Sequence, residues 1–329
     1  LFYASDIEAI EVVPGGSSAL HGSGAVGGVV NLLPRFPYAT RPGLEFGIRT
    51  GSFGEAGISA RATLRPDTAV GIALRASRTR SRGDFSFTDP GGGADVIRHN
   101  GDFLSQSVSL SAGWDPRNGD RVGVMITALS LDQGAPGPWS GGVPQSGARR
   151  NDKRYVAAIA FESSTSTRLG LTATGIFDRQ YERFLDRGGP YPADNHYQTT
   201  WAGVSGQLRY QASSPWLFMA GLDMSQASAG GNAMNGTKSR GTAAFSGAVS
   251  CVIRAVETLI VTITPALRWE GSTTFTPHLS PKIGLNLETS REGFSLRVHS
   301  TAGTGRRDPT MNELYYSGEG GRGNSSIDG

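Results

Sequence analysis

From Gly43 onward, apolar and polar positions alternate with a period of two. Ala56, Ile58, Ala60, Ala62 and Leu64 share one face, and Glu55, Gly57, Ser59, Arg61 and Thr63 share the other. The pattern recurs in Val70–Ser77, Ser107–Trp114, Val122–Ala128, Tyr155–Phe161, Leu169–Ala173, Trp216–Leu222, Leu259–Trp269 and Phe294–Val298. Strict alternation over such lengths predicts strands with one apolar and one wet face. Beyond the opening stretch no segment has a helical period. Strands of soluble proteins average ~5–6 residues, whereas strands that cross a bilayer need ~9–11. Most segments here reach the longer class. Their polar faces carry Gly, Ser, Ala and Thr with scattered Arg, which suits a hydrated, crowded lumen better than a sandwich core.

The connections sharpen this reading. Tight or short turns are expected at Gly51–Gly54, Arg65–Thr68, Asp115–Asp120, Ser163–Ser166, Ala212–Pro215, Arg254–Thr258 and Thr289–Glu292. Long loops are expected at Ser81–Gly101, Asp132–Asp152, Glu182–Asn195, Ala227–Ser239 and from Ala302 onward, with a medium one at Gly271–Phe275. Short and long connections alternate almost throughout, as do the periplasmic turns and extracellular loops of outer-membrane barrels. This places the N-terminal stretch on the periplasmic side. Trp114, Tyr210 and Trp216 flank short turns, where amphipathic rings favour a bilayer interface. The count is about thirteen strands. Closed single-chain bacterial barrels have even numbers, and an open edge in lipid leaves backbone groups unsatisfied. Further strands are therefore expected, as is a missing signal peptide, since the sequence starts at Leu1 without Met.

Composition narrows the class. The 329 residues include 47 Gly and only 5 Met, and mean hydropathy is -0.25. No apolar run approaches the ~20 residues of a membrane helix, although alternating strands can cross a bilayer at near-neutral hydropathy. A net charge of +3 with dispersed basic residues argues against nucleic acid. Cys251 alone supports neither a disulfide framework nor a cysteine zinc site. His21, His99, His196, His278 and His299 form no pair at ligand spacing, so no metal site is assigned. There is no Gly-x-Ser-x-Gly elbow and no spaced carboxylate pair, so no catalytic residue and no cofactor is assigned, and an enzyme is not expected.

Gly22-Ser-Gly24-Ala-Val-Gly27 matches a dinucleotide fingerprint, which requires a helix opening at the glycines. Here Gly28-Val-Val-Asn-Leu-Leu33-Pro34 follows, a strand stopped by proline, and the nucleotide reading fails. The stretch Ile7-Glu-Ala-Ile-Glu11-Val, Gly15-Gly16, Ser18-Ala19-Leu20-His21-Gly22-Ser23 and Gly27-Gly28-Val-Val-Asn31 instead resembles the end of the plug of TonB-dependent outer-membrane receptors. His21 departs from the family's usual Tyr, and Val13-Pro14 from its Leu-Arg. A second resemblance to that family lies in Arg307, Pro309, Glu313 and Leu314, which match its late-barrel box, with Asn324 in a weakened second box.

The resemblance implies an all-β protein, a transmembrane antiparallel up-and-down β-barrel. It would have 22 strands in the full protein, about 13 of them present, behind the C-terminal part of an N-terminal plug. Residues 1–37 would be plug and 38–329 barrel wall. It implies a receptor-transporter in the outer membrane of a Gram-negative bacterium, taking up a scarce nutrient such as an iron-siderophore or cobalamin. Partners would be a metal-chelate or cobalamin-like ligand, outer-membrane lipid, and a TonB-type energy-coupling protein whose binding segment lies upstream. Trp139, Arg149, Arg150, Tyr191 and Tyr197, read as loop residues, are candidate ligand contacts. The competing reading is a passive porin-like channel, which would carry no plug.

Overall fold

The computed structural model describes residues 7–14, 28–38, 41–89, 91–116, 119–137, 147–164, 166–188, 192–232, 234, 236–256, 258–291, 294–318 and 321–327. Two short strands, β1 (Ile7–Pro14) and β2 (Gly28–Pro34), pair antiparallel as a separate two-stranded sheet. The wall begins with β3 (Gly43–Thr50), β4 (Ala56–Leu64) and β5 (Val70–Ser81). After β5 the chain makes a small hairpin, β6 (Ser86–Thr88) with β7 (Asp95–Ile97). The wall resumes with β8 (Phe103–Trp114), β9 (Asp120–Gly134), β10 (Arg149–Ser163), β11 (Leu169–Asp186) and β12 (Ala193–Ser213). It ends with β13 (Trp216–Gly231), β14 (Lys238–Val256), β15 (Leu259–Ser272), β16 (His278–Arg291) and β17 (Phe294–Gly303). Thirteen strands form one sheet in which every strand pairs with its wall neighbour in the sequence, and β3 and β17 are its two edges. A helix α1 (Met311–Tyr315) and a two-residue hairpin, β18 (Ser317–Gly318) with β19 (Gly321–Arg322), follow.

The two faces are inverted relative to a water-soluble sheet. Gly57, Thr63, Ala73, Ser77 and Thr79 are buried on one side of β4 and β5, while Ile58, Leu64 and Leu74 stand exposed on the other. Leu74, Leu110, Ile126, Ala157 and Phe177 are consecutive cross-strand neighbours midway along this apolar side. Trp114, Tyr210 and Trp216 are each more than a third exposed and all lie at the short-turn edge. Alternation that presents apolar residues outward and small polar ones inward is what a lipid-embedded wall requires. Inside, hydroxyls meet across strands, with Ser77 and Ser107 at 2.8 Å and Ser225 and Thr242 at 2.6 Å. Such pairs satisfy groups that curvature removes from water.

The wall strands run further into the expected loops than alternation alone predicts. Connections 187–192 and 232–237 replace the longer loops expected at Glu182–Asn195 and Ala227–Ser239. Backbone pairing continues past the apolar band because a strand rim in water still gains ladder hydrogen bonds, whatever its side chains.

The link between the small sheet and the wall is seated by glycine. Gly71, Gly113 and Gly123 are direct neighbours across β5, β8 and β9. A Cβ at Gly71 would strike Pro37, at Gly113 Tyr38, and at Gly123 the Phe36 ring. Phe36 and Pro37 are buried in the resulting groove, and the Arg121 guanidinium lies 5.7 Å from the Tyr38 ring centre. Three side chains are absent where a strap of backbone and rings must pass close to a sheet.

Candidate functional site

The residues of the late-barrel box fold back onto the inner wall. Thr310 caps α1: its hydroxyl accepts from the Glu313 N–H at 3.2 Å, and its own N–H donates to the Glu313 carboxylate at 2.7 Å. This reciprocal pair is a capping box, which lets so short a helix form. Arg307 Nη2 donates to Glu313 Oε1 at 2.6 Å. That guanidinium, then the Thr310 backbone N–H, holds the Glu313 carboxyl down at about 2. Leu314 is buried, and Asn324 N donates to Glu313 O at 2.8 Å, so the two boxes meet through backbone.

Contacts from two strands and a bridge hold this segment. Arg240 Nη2 on β14 donates to Pro309 O at 2.8 Å, with its guanidinium 4.9 Å from the Phe275 ring centre. Lys238 Nζ lies 5.2 Å from the Tyr315 ring centre, and Tyr197 on β12 donates its hydroxyl to Asn312 Oδ1. Met234 bridges Tyr316. Between segment and wall lies a cavity of about 510 Å³, lined by Trp201, Asp223, Arg240, Arg268 and Glu270 with Asp308–Thr310. Arg268 and Glu270 are buried, with Arg268 donating to Asp223 at 2.6 Å and to Glu270 at 3.0 Å. Arg240 keeps a buried Nε without a hydrogen bond. The cavity therefore offers a broad ring, a cation with donor capacity left, and fixed carboxylates, which can grip a polar, partly aromatic solute but offer no nucleophile–base pair.

The residues expected from the sequence divide unevenly. Arg307, Pro309, Glu313, Leu314 and Asn324 come together in this segment. Glu11 and Asn31, twenty residues apart, are cross-strand partners, with Asn31 Nδ2 donating to Glu11 Oε2 at 3.1 Å. Gly28 opens β2. Gly15, Gly16, Ser18, Ala19, Leu20, Gly22 and Gly27, with His21, lie outside the described residues, as do Trp139 and Tyr191.

Arg149, Arg150 and Tyr197 are not loop residues: the first two open β10 and the third lies within β12. Adjacent strand residues point to opposite faces. Arg149 shares the outer face with Tyr155 and binds Asp102 at 2.8 Å and also Asp132. Arg150 faces inward, between Asp152 and Glu182, each at 3.1 Å. Among the three, Tyr197 alone touches the late-barrel segment. Trp201 and Arg240 were not singled out from the sequence. A signal exists for Trp201, which shares the polar phase of its strand with Gly203, Ser205 and Gln207.

No protein-family model and no curated protein matches the chain at a significant level. Solved structures do. The FrpB iron transporter from Neisseria meningitidis superposes with a TM-score of 0.72 at 12% identity, over 93% of this chain and 53% of that one. The siderophore receptor PirA from Pseudomonas aeruginosa matches with a TM-score of 0.66 at 16% identity, over 98% and 57%. The copper transporter OprC matches at 0.69 with 14% identity, over 94% and 52%. The chain spans a little over half the length of these structures, and at such identities the likeness is one of fold. With thirteen antiparallel wall strands and a small sheet strapped to their inner face, the chain has the fold of about half of a TonB-dependent outer-membrane receptor.

Proposed function

We propose that the whole protein is an outer-membrane receptor-transporter that takes up a metal chelate with energy from a TonB-type partner. Residues 1–37 are then the end of its plug and 38–329 part of its wall. The observation that carries this reading is the late-barrel segment folded inward over Trp201 and Arg240, leaving a luminal cavity beside it. Siderophore, iron and copper receptors of the same fold support a chelated metal as cargo; nothing in the cavity speaks for cobalamin in particular. The chain's residues bind and release the cargo rather than transform it.

Full-length protein carrying Trp201→Ala or Arg240→Ala is expected to bind its chelate ~10-fold more weakly while barrel assembly is unchanged. Stacking and charge-assisted contacts of ~1–3 kcal/mol each set that scale. Growth of the deletion strain on single ferric and cupric chelates identifies the cargo. Unimpaired growth on all of them would sink the reading. The channel alternative predicts steady conductance of the purified protein in a planar bilayer. A wall whose groove holds the plug strap predicts a closed trace.

A further inference from the structure

The outer face of the wall carries a feature that neither transport nor plug seating uses. Ala60, Ala76, Val108 and Ala128, consecutive cross-strand neighbours, form a low floor, bounded by Phe46 at one end and Tyr155 at the other. Small residues between large ones leave a trough of about 770 Å³ on the exposed apolar face. Phe46 and Tyr155 lie five strand spacings apart, ~24 Å, enough for several acyl chains side by side.

Along its upper border runs the row Ile58, Arg78, Gln106, Ser130 and Lys153, each the direct neighbour of the next. Arg78 and Lys153 line the trough and have no carboxylate within ion-pair distance among the described residues. The carboxylates beyond this row, Asp102 and Asp132, are both held by Arg149. Gln106 is eight residues from Trp114, ~27 Å of strand, which after tilt is about the height of an apolar band. The cations thus stand at the far bilayer boundary, opposite the aromatic edge, with Tyr155 packed edge-on against Tyr181 beside them at 6.4 Å.

We propose that this trough binds a phosphate-bearing lipid of the outer leaflet, with acyl chains on the low apolar floor and phosphates at Arg78 and Lys153. Those two residues are three strand spacings apart, ~14 Å, which fits two phosphates carried on a disaccharide-sized headgroup. The inference rests on the outer-membrane placement of the wall but not on the identity of the cargo.

The test uses full-length protein extracted from outer membranes in mild detergent. Native mass spectrometry reads the retained lipid, and diphosphorylated glucosamine-disaccharide lipid in mixed micelles is added back as the probe. Retention of a doubly phosphorylated lipid is expected, falling at least ~10-fold in R78A/K153A and in Ala128→Trp, which fills the floor. Both variants are expected to keep heat-modifiable migration. Equal retention by wild type and variants would overturn the proposal, as would preference for a zwitterionic lipid. Recovery of the protein outside the outer-membrane fraction would instead overturn the membrane placement.

Discussion

Single atoms decide the strap that joins the small sheet to the wall. At Gly71, Gly113 and Gly123 even one methyl would meet Pro37, Tyr38 or Phe36. Overpacking of this kind costs about 1–3 kcal/mol. Gly123→Ala is expected to loosen residues 35–38 without unfolding the wall, read as faster tryptic cleavage after Arg35 in full-length protein. Unchanged cleavage would show that the groove yields. At Glu313 the prediction is one of pH. Its carboxyl is held near 2, below the ordinary 4.5, so its contribution to the capped segment is complete above 4.5. It is lost progressively as pH falls from there to about 2. Carbon-detected titration of Glu313 should report that low value, and Arg307→Ala should move it upward. The box residues were readable because their side chains act within seven positions of sequence. Arg240 was not, because its value comes from Pro309, sixty-nine residues away.

At the scale of the strand, the alternation carried the wall and its orientation together. A period of two states which residues share a face, and the bilayer thickness reads the length. The same period corrects the loop assignment of Arg149 and Arg150, which cannot both face a ligand in the lumen from one continuous strand. Ile126, midway up the apolar face, is a sharp test of orientation. Ile126→Arg is expected to cost about 2–4 kcal/mol, as charges do at the midplane of a barrel's lipid face. Thr174→Arg, on the wet face, should show no comparable loss in urea unfolding from lipid vesicles. Equal losses would mean that the faces are assigned the wrong way round. Helix α1 lies beyond what periodicity can detect, since five residues are too few for a helical repeat. Its capping pattern Thr310-Met-Asn-Glu313 is nonetheless written in the chain.

For the whole molecule, the open sheet edges are the controlling fact. Every residue of β3 and β17 is exposed, and the two strands do not pair with each other among the described residues. Unpaired strand edges in or near lipid are unsatisfied and template further pairing. The 329 residues expressed alone should therefore self-associate, seen as light scattering from detergent solution, whereas full-length protein should run as a discrete species. A monodisperse 329-residue wall would contradict this. By itself, the sequence determined the strand class, the number of wall strands and the polarity of each face. All of these depend on residues close together in the chain. Tertiary structure alone decided that Phe36–Tyr38 lie in a glycine groove, that the late box closes over Trp201, and that Arg78 and Lys153 border an outer trough. Those arrangements join residues from distant strands, and their register is set by hydrogen bonding across the sheet rather than by any local pattern.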